Sequence, residues 1–410
     1  MKILVISQYF WPEEFRINDI CKGLIEKGHE VEVLTGIPNY PFGRYFDGYS
    51  IFNRGKKEYE GIKVRRAFCV PRGKDSKIKL ILNYISFMIS GIIHIPFIMA
   101  NKYDKILVYQ LSPITMAIPA ILLKKIKKLP LDMYILDLWP ESLLSTVNIK
   151  SRKIKSMLEK VCKYIYKQAD QLYITSRGFK GKLMSYGIEE DTIKYLPQWA
   201  EDIYKNTEID KSINVDIDDN KFNIVFTGNI GKAQSIDTII DAANICKENK
   251  NINWIIVGDG SEKENSMNRV KELGLEDCIL FLGRKPVSDM PLYYSKADAL
   301  LVTLGNDELF KITVPAKVQS YMASGKPIIG AISGEGKYLI DECNCGKTCE
   351  AEDYIGLANI AQYMYSLNEE DRKYMGQNGL KYFNQNFKRE ILLGEINRLI
   401  MEQEEELAYV

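Results

Sequence analysis

The sequence predicts an α/β protein built as two consecutive halves, each a parallel sheet covered by helices on both faces. Three observations lead there. At 410 residues the chain is longer than one hydrophobic core usually holds. Short continuous apolar runs alternate with helical periodicity along its whole length. The alternation pauses at the acid-rich stretch Asp210–Asn220 and restarts at Asn223.

The first half opens with the apolar run Ile3–Ser7, then a loop, then a helix from Asn18 to Lys27. Gly28 suits its C-cap, and Glu30–Thr35 is the next strand, which completes one βαβ unit. Further strands are expected at Ile62–Ala67, Lys105–Tyr109, Met133–Leu136 and Gln171–Thr175. In the second half they are expected at Asn223–Thr227, Trp254–Val257, Ile279–Leu282, Ala299–Thr303 and Pro327–Ile332. A long amphipathic helix, Arg389 to Glu406, closes the chain. Strands apolar on both faces belong in buried parallel sheets. Such sheets bind ligands beyond the carboxyl ends of their strands.

Composition sets limits on function. Hydrophobic content of 46% and charged content of 27% are ordinary for a globular protein. The formal net charge of +1 hides an asymmetry. Residues 1–200 carry 32 Lys and Arg against 19 Asp and Glu, and the remainder carries 23 against 35. An anionic partner is therefore expected at the first half. Anionic lipid fits; nucleic acid does not, because no nucleic-acid module is present and the aromatics do not interleave with the basic runs. The eight Cys lie mostly in apolar stretches, as free thiols do. Cys343, Cys345 and Cys349 have neither a paired CxxC nor a nearby His, so no metal site is expected. Met1–Ile6 reads as a strand, not a leader, and a cytoplasmic location follows as the expectation. Leu80 to Ala100 is uncharged and long enough to span a bilayer. Asn83, Ser86, Ser90, Gly91, His94 and Pro96 weaken that reading, and a span would cut the first half in two. A buried helix, or one half-dipped in a membrane interface behind Arg65, Arg66, Arg72, Lys74, Lys77 and Lys79, is expected instead.

Two segments of the second half suit a phosphate, and two more are Gly-bearing turns that follow strands. In the stretch 314–329 a helix starts at Pro315–Lys317 and ends at Gly325-Lys-Pro327. A helix N-terminus offers free N–H groups and a partial positive charge, and Lys317 adds a full one. Gly228-Asn-Ile-Gly-Lys-Ala-Gln-Ser235 follows a strand; its glycines admit a phosphate and Lys232 neutralises it. Val257-Gly-Asp-Gly260 and Phe281-Leu-Gly-Arg-Lys-Pro286 each follow another strand. In the first half, three aromatic, Pro-bearing loops follow strands: Ser7–Asn18, Thr35–Gly43 and Asp137-Leu-Trp-Pro-Glu-Ser142. Aromatic faces stack on sugars, and carboxylates accept from their hydroxyls.

These motifs, in this order, resemble glycosyltransferase family 4, and within it the WbuB-like N-acetylfucosaminyl transferases; the resemblance runs from Met1 to about Ile400. It implies the GT-B fold: two Rossmann-like domains facing across a cleft, with the last helix crossing back to the first domain. The implied boundaries are 1–200 for an acceptor-binding, membrane-facing domain, 201–385 for the nucleotide-sugar domain and 386–410 for the crossover helix. The implied reaction is retaining transfer from a UDP-sugar, an N-acetylated deoxyhexose such as N-acetylfucosamine, to a lipid-diphosphate-linked sugar in surface polysaccharide (capsule or O-antigen) synthesis. It would take place at the inner face of the plasma membrane and without metal or other cofactor. Donor contacts carry over to Gly228, Asn229, Gly231, Gly258, Gly260, Arg284, Lys285, Thr313, Gln319 and Ser320. Acceptor contacts fall on Trp11, Glu13, Glu14, Arg16, Asn39, Tyr40 and Trp139. Lys232, Lys317, Asp137 and Glu141 are the catalytic candidates.

The chain departs from the family pattern in three places. Asn229 and Gln234 stand where an Arg and a Lys are usual. The Glu-x7-Glu pair is replaced by Ile312 and Ser320, leaving Gln319, Glu308 and Glu335 as substitutes. Leu136 stands where a His is frequent, and His29 and His94 lie elsewhere, so the incoming hydroxyl would lose its proton to the donor's own phosphate. A UDP-sugar 2-epimerase on the same fold and a non-enzymatic, degenerate subunit are the alternatives.

Overall fold

The computed structural model describes residues 1–73, 76–146, 149, 151–200, 215 and 217–408. The chain forms two compact units. The first comprises Met1–Thr175, Phe179–Leu196 and the chain from Leu393. The second comprises Ser176–Gly178 and Pro197–Leu392. The expected junction at 200/201 adjoins residues outside the described set, and residues 210–214 and 216 of the acid-rich stretch lie outside it.

The sheet of the first unit runs β3 (Glu58–Tyr59), β4 (Ile62–Ala67), β2 (Glu30–Gly36), β1 (Lys2–Ile6), β5 (Lys105–Gln110), β6 (Leu131–Ile135), β7 (Gln171–Ile174), β8 (Ile193–Tyr195). All neighbours are parallel except β3 and β4. In the second unit the order is β11 (Ile279–Gly283), β10 (Ile252–Asp259), β9 (Phe222–Asn229), β12 (Ala299–Thr303), β13 (Ile328–Ala331), β14 (Gly346–Cys349), all parallel. The expected strands are all present, with ends shifted by a few residues. β3, β8 and β14 are additional; each is too short, or too polar, to show an apolar run.

Right-handed crossovers determine which helices share a face. The connections β4→β5, β5→β6 and β6→β7 advance in one direction, so the helices Lys77–Met99, Ile118–Lys127 and Arg152–Tyr166 line one side of the first sheet. Lys125 Nζ, 2.8 Å from Tyr164 Oη, joins the last two. The β1→β2 connection runs the other way, which puts the Arg16–Glu26 helix on the opposite side. A Cβ at Gly23 of that helix would collide with Leu393 of the final helix, Arg389–Ala408. The final helix is also fixed to the sheet by a buried ion pair. Lys105 Nζ lies 2.9 Å from Asp132 Oδ2 and donates to the Ile400 carbonyl at 2.9 Å. Tyr173 donates to the same carboxylate at 2.6 Å.

The uncharged segment is a helix of the first unit, Lys77–Met99. Its inner side is buried at Asn83, Phe87, Ser90, Gly91, Ile95 and Ile98. Polar groups tie that side down: Gln8 donates to Asn83 at 2.6 Å, and Ser86 and Ser90 accept from the Val70 and Phe68 amides at 2.8 and 2.7 Å. The outer side is a different surface. Ile78, Ile81, Leu82, Ile85, Ile89, Ile93 and Phe97 form an exposed stripe at helical spacing. The neighbouring Arg152–Tyr166 helix exposes Ile154, Met157, Val161 and Tyr164, again at helical spacing, among Lys153, Lys155 and Lys160.

Candidate functional site

In the second unit, β9 and β10 run in register to their ends, where Gly228 pairs with Gly258. The backbones are so close that a Cβ on Gly258 would overlap the Gly228 carbonyl. Gly260 is confined in the same way by the Ile230 carbonyl. Gly228 has φ +137°, open to glycine alone at low cost. After it the chain makes a 3-10 turn, Lys232–Gln234, and enters the Ile236–Cys246 helix. The Gln234 carbonyl accepts from Thr303 Oγ1 at 2.5 Å and the Ala233 carbonyl from the Gly305 amide at 2.9 Å, which anchors the loop to β12. Asn229 Nδ2 bridges the turn to Gln234 Oε1 at 3.2 Å. These two residues replace the expected cations with a mutual hydrogen bond. Lys232 is exposed beside them.

The Ala316–Ala323 helix sits against the end of β9. Tyr321 locks it there: its hydroxyl donates to the Leu301 carbonyl at 3.2 Å and accepts from the Thr227 amide at 3.2 Å. This brings Lys317 Nζ to 3.9 Å from the centre of the Phe226 ring and to 3.2 Å from where a Gly228 Cβ would be. The ammonium is buried and has no hydrogen-bond partner among the described residues. Burial holds its pKa down to about 7. A buried ammonium without an acceptor is costly, and this one lies against an aromatic face and the open Gly228. Loop 228–235 and Lys317, read separately from the sequence, meet at this point.

The other second-unit candidates spread around it. Arg284 and Lys285 follow β11 and are exposed. Thr313 Oγ1 donates to the Leu309 carbonyl at 2.7 Å, and Gln319 and Ser320 are buried on the inner side of their helix. Of the substitute carboxyls, Glu308 points to solvent and pairs with Lys311 at 2.6 Å. Glu335 starts the Glu335–Glu342 helix, whose Gly334 (φ +73°) abuts the Lys311 backbone and whose Gly336 abuts Pro315. Burial raises the Glu335 pKa, against the pull of Arg177. Ser176 Oγ donates to the Ile312 carbonyl at 2.6 Å. That residues 176–178 belong to this unit is not visible in the sequence, because three residues carry no periodicity.

In the first unit the candidates gather at the carboxyl ends of β1, β2, β5 and β6. Glu13 is 2% exposed, and its Oε1 accepts from the Asn39 and Tyr40 amides, each at 2.7 Å. Burial raises its pKa to about 7, although those amides favour the anion. Glu13 therefore staples the first aromatic loop to the second. Asn39 extends the same network, accepting from the Arg72 amide at 3.1 Å and from Asn83 Nδ2 at 3.3 Å. Trp11 stacks on Tyr59 at 4.6 Å. Tyr40 packs against Tyr9 and Phe15, with Arg72 over its ring at 4.9 Å. Glu14 is exposed and Arg16 half-buried.

At the end of β6, Asp137 Oδ2 accepts from Ser112 Oγ at 2.7 Å, and Ser112 accepts from Trp139 Nε1 at 3.0 Å. Burial raises the Asp137 pKa despite the Ser112 hydrogen bond. Glu141 Oε1 accepts from Tyr186 at 2.6 Å and pairs with Lys182 at 2.8 Å, while its Oε2 is buried without a partner. Ser112, Tyr186 and Lys182 were not picked out from the sequence; they contact the candidates only through tertiary packing. Trp11-Pro12, Tyr40-Pro41, Ser112-Pro113 and Trp139-Pro140 are cis. Among the described residues no group of His, Cys, Asp and Glu is arranged to hold a metal ion.

Residues 208–382 match the family described as Glycosyl transferases group 1. The "Probable glycosyltransferase WbjE" of Pseudomonas aeruginosa is 27% identical over 241 residues, 57% of this chain and 59% of that protein. The "Putative colanic acid biosynthesis glycosyl transferase WcaI" of Escherichia coli (strain K12) is 24% identical over 338 residues, 79% of this chain and 82% of that protein. Among solved structures, Anabaena Alr3699/HepE in complex with UDP and glucose superposes with a TM-score of 0.70 at 16% identity, over 98% of this chain and 99% of that one. The fold of the chain is thus the GT-B fold, and the sequence relatives it matches are described as glycosyltransferases.

Proposed function

We propose that the protein transfers a sugar from a UDP-sugar, with retention, to a lipid-diphosphate-linked acceptor during surface polysaccharide synthesis. The observation that carries this reading is Lys317: a buried ammonium without a hydrogen-bond partner, set beside a glycine-only strand end. A diphosphate there would accept from Lys317 and from the amides of loop 228–235, while the exposed Lys232 would neutralise the outer phosphate. As the sugar–phosphate bond breaks, charge grows on the diphosphate, and both lysines stabilise it. Glu335 is assigned to the sugar in place of the missing acidic pair, because it begins a helix packed against the 311–315 loop. Asp137 and Glu141 are assigned to the acceptor side. The incoming hydroxyl gives its proton to the departing phosphate, and no metal or other cofactor takes part.

The base is assigned as uracil by likeness to HepE, whose structure holds UDP. The sugar is assigned as an N-acetylated deoxyhexose, N-acetylfucosamine or a relative, by likeness to the WbuB-like group. The domain roles follow the same likeness: acceptor binding for residues 1–200, donor binding for 201–385 and crossover for 386–410. The exposed apolar stripes on the Lys77–Met99 and Arg152–Tyr166 helices, set among lysines, suit a peripheral seat on an anionic cytoplasmic leaflet. Lys74 lies outside the described residues.

The test is direct. Purified protein is incubated with UDP-N-acetylfucosamine and related UDP-sugars and a short-chain prenyl-diphosphate sugar, and products are read by mass spectrometry and anomeric NMR. An α-linked product from an α-donor supports the proposal. Inversion, or UDP release without transfer, contradicts it. Ile312 and Ser320 in place of acids favour a second reading, a non-catalytic subunit, which predicts that no UDP-sugar is consumed.

A further inference from the structure

The first unit holds a cavity of about 470 Å³ that the donor and acceptor loops do not use. It is lined by Phe52, Arg54, Lys56, Lys57, Arg66 and His94, among others, and by no acidic residue. One wall is a loop held rigid by its own hydrogen bonds. Ser50 Oγ accepts from the Asn53 amide at 2.9 Å, Asn53 Oδ1 accepts from the Gly55 amide at 3.2 Å, and Gly55 takes φ +73°. The opposite wall is His94 of the Lys77–Met99 helix, whose Nδ1 lies 2.7 Å from the Ser90 carbonyl. Arg54 Nη1 reaches across, donating to the Arg66 carbonyl at 3.0 Å and lying 3.4 Å from His94 Nε2.

Two observations indicate a ligand. Arg66 is 4% exposed, and its Nε is buried without an acceptor. Lys56 and Lys57 are exposed and pair with no carboxylate among the described residues. Arg66 gives its Nη groups to the Trp11 and Lys56 carbonyls, at 2.7 and 3.4 Å, and Arg65 pairs with Glu32, so the Arg66 Nε and the two lysines are the cationic groups left for a ligand, and their concentration favours a multiply charged anion. The rim gives the second half of the ligand. Phe52 is 98% exposed, and Ile93 and Phe97, which flank His94 on its helix, belong to the exposed apolar stripe. A free anion has no use for that stripe, whereas an amphiphile uses both parts.

We propose that this cavity binds the phosphate or diphosphate headgroup of a lipid whose hydrocarbon chain lies along the Ile89–Ile93–Phe97 stripe. The inference rests on the lipid-linked acceptor of the proposed function and locates the point at which the lipid is held. Calorimetric titration of the full chain with farnesyl diphosphate, inorganic pyrophosphate and farnesol, each in saturating UDP so that the donor site is already occupied, tests it, with UDP alone titrated into a separate sample. Farnesyl diphosphate should bind at least about tenfold more tightly than pyrophosphate, through burial of its chain. The double variant Lys56→Ala, Lys57→Ala should weaken both by about tenfold or more. The double variant Ile93→Ser, Phe97→Ser should remove the advantage of farnesyl diphosphate and leave pyrophosphate binding unchanged. Equal affinity for pyrophosphate and farnesyl diphosphate would reduce the cavity to a free-anion site and overturn the lipid assignment. Farnesol binding as tightly as the diphosphate would overturn the headgroup assignment. UDP binding without farnesyl diphosphate binding would overturn this inference and leave the donor reading standing; the reverse pattern would overturn only the donor reading.

Discussion

Replacing Lys317 with Met keeps the length of the side chain and removes its charge. Two opposite effects are expected. Nucleotide affinity should fall by about 1.5–3 kcal/mol, the range for a hydrogen bond to a charged group, which is roughly a 10- to 150-fold rise in Kd. Stability without nucleotide should rise or stay level, because the variant no longer buries an ammonium that has no acceptor. The pKa near 7 adds a pH signature. Above pH 7 the free protein has mostly lost this proton, and a bound diphosphate restores it. Wild-type affinity for UDP should therefore weaken by up to about tenfold per pH unit above 7, until the pKa of the bound form is reached. Stability of the free wild type should rise from pH 7 towards 10, since there the unfolded chain binds more protons than the folded one. Calorimetric titration at several pH values and urea midpoints give both readouts. If Lys317→Met binds UDP as tightly as wild type, or keeps the same pH slope, Lys317 has no part in the donor site.

Three further changes have expected outcomes. Lys105→Met strands the buried Asp132 carboxylate and should cost about 3–5 kcal/mol in urea unfolding; a loss under 1 kcal/mol would show that Tyr173 alone satisfies that carboxylate. The Glu13 carboxyl titrates near pH 7 when folded and well below that when unfolded, so the folded state holds the extra proton and stability should fall as pH rises from about 4.5 to 7. Glu13→Gln should flatten that slope and leave the fold intact, and an unchanged slope would assign it to another group. Ile81→Ser, Ile85→Ser and Ile89→Ser together should reduce sedimentation with phosphatidylglycerol vesicles by tenfold or more, at about 1.5–3 kcal/mol for each fully buried Ile; binding that survives the triple variant but is abolished by high salt would mean that lysines alone hold the protein.

The fold was legible because buried parallel strands leave continuous apolar runs. Lys2–Ile6 and Ala299–Thr303 could be read directly. Gly346–Cys349 could not, since Lys347 and Thr348 interrupt it at the sheet edge. The candidate phosphate-binding elements were visible as motifs, because glycines and a lysine at helix starts carry a local signal. Their convergence was not, since it depends on Tyr321 reaching Thr227, 94 positions away. The aromatic loops showed their composition but not their division of labour. Nothing local distinguishes Glu13, which is used up by two amides, from Glu14, which is exposed one residue later. The uncharged helix illustrates a further limit. Its polar residues Asn83, Ser86 and Ser90 lie on the packed side and Ile81, Ile85, Ile89 and Ile93 face outward, the reverse of an ordinary amphipathic helix, so only its packing reveals which side is left uncovered.

The most direct test of the central claim is calorimetric titration of the full chain with UDP in EDTA, beside ADP and GDP. The account predicts metal-independent binding, roughly micromolar in Kd, selective for UDP and weakened in the Lys317→Met variant. Binding of none of the three nucleotides, or of all three alike in wild type and variant, would contradict it.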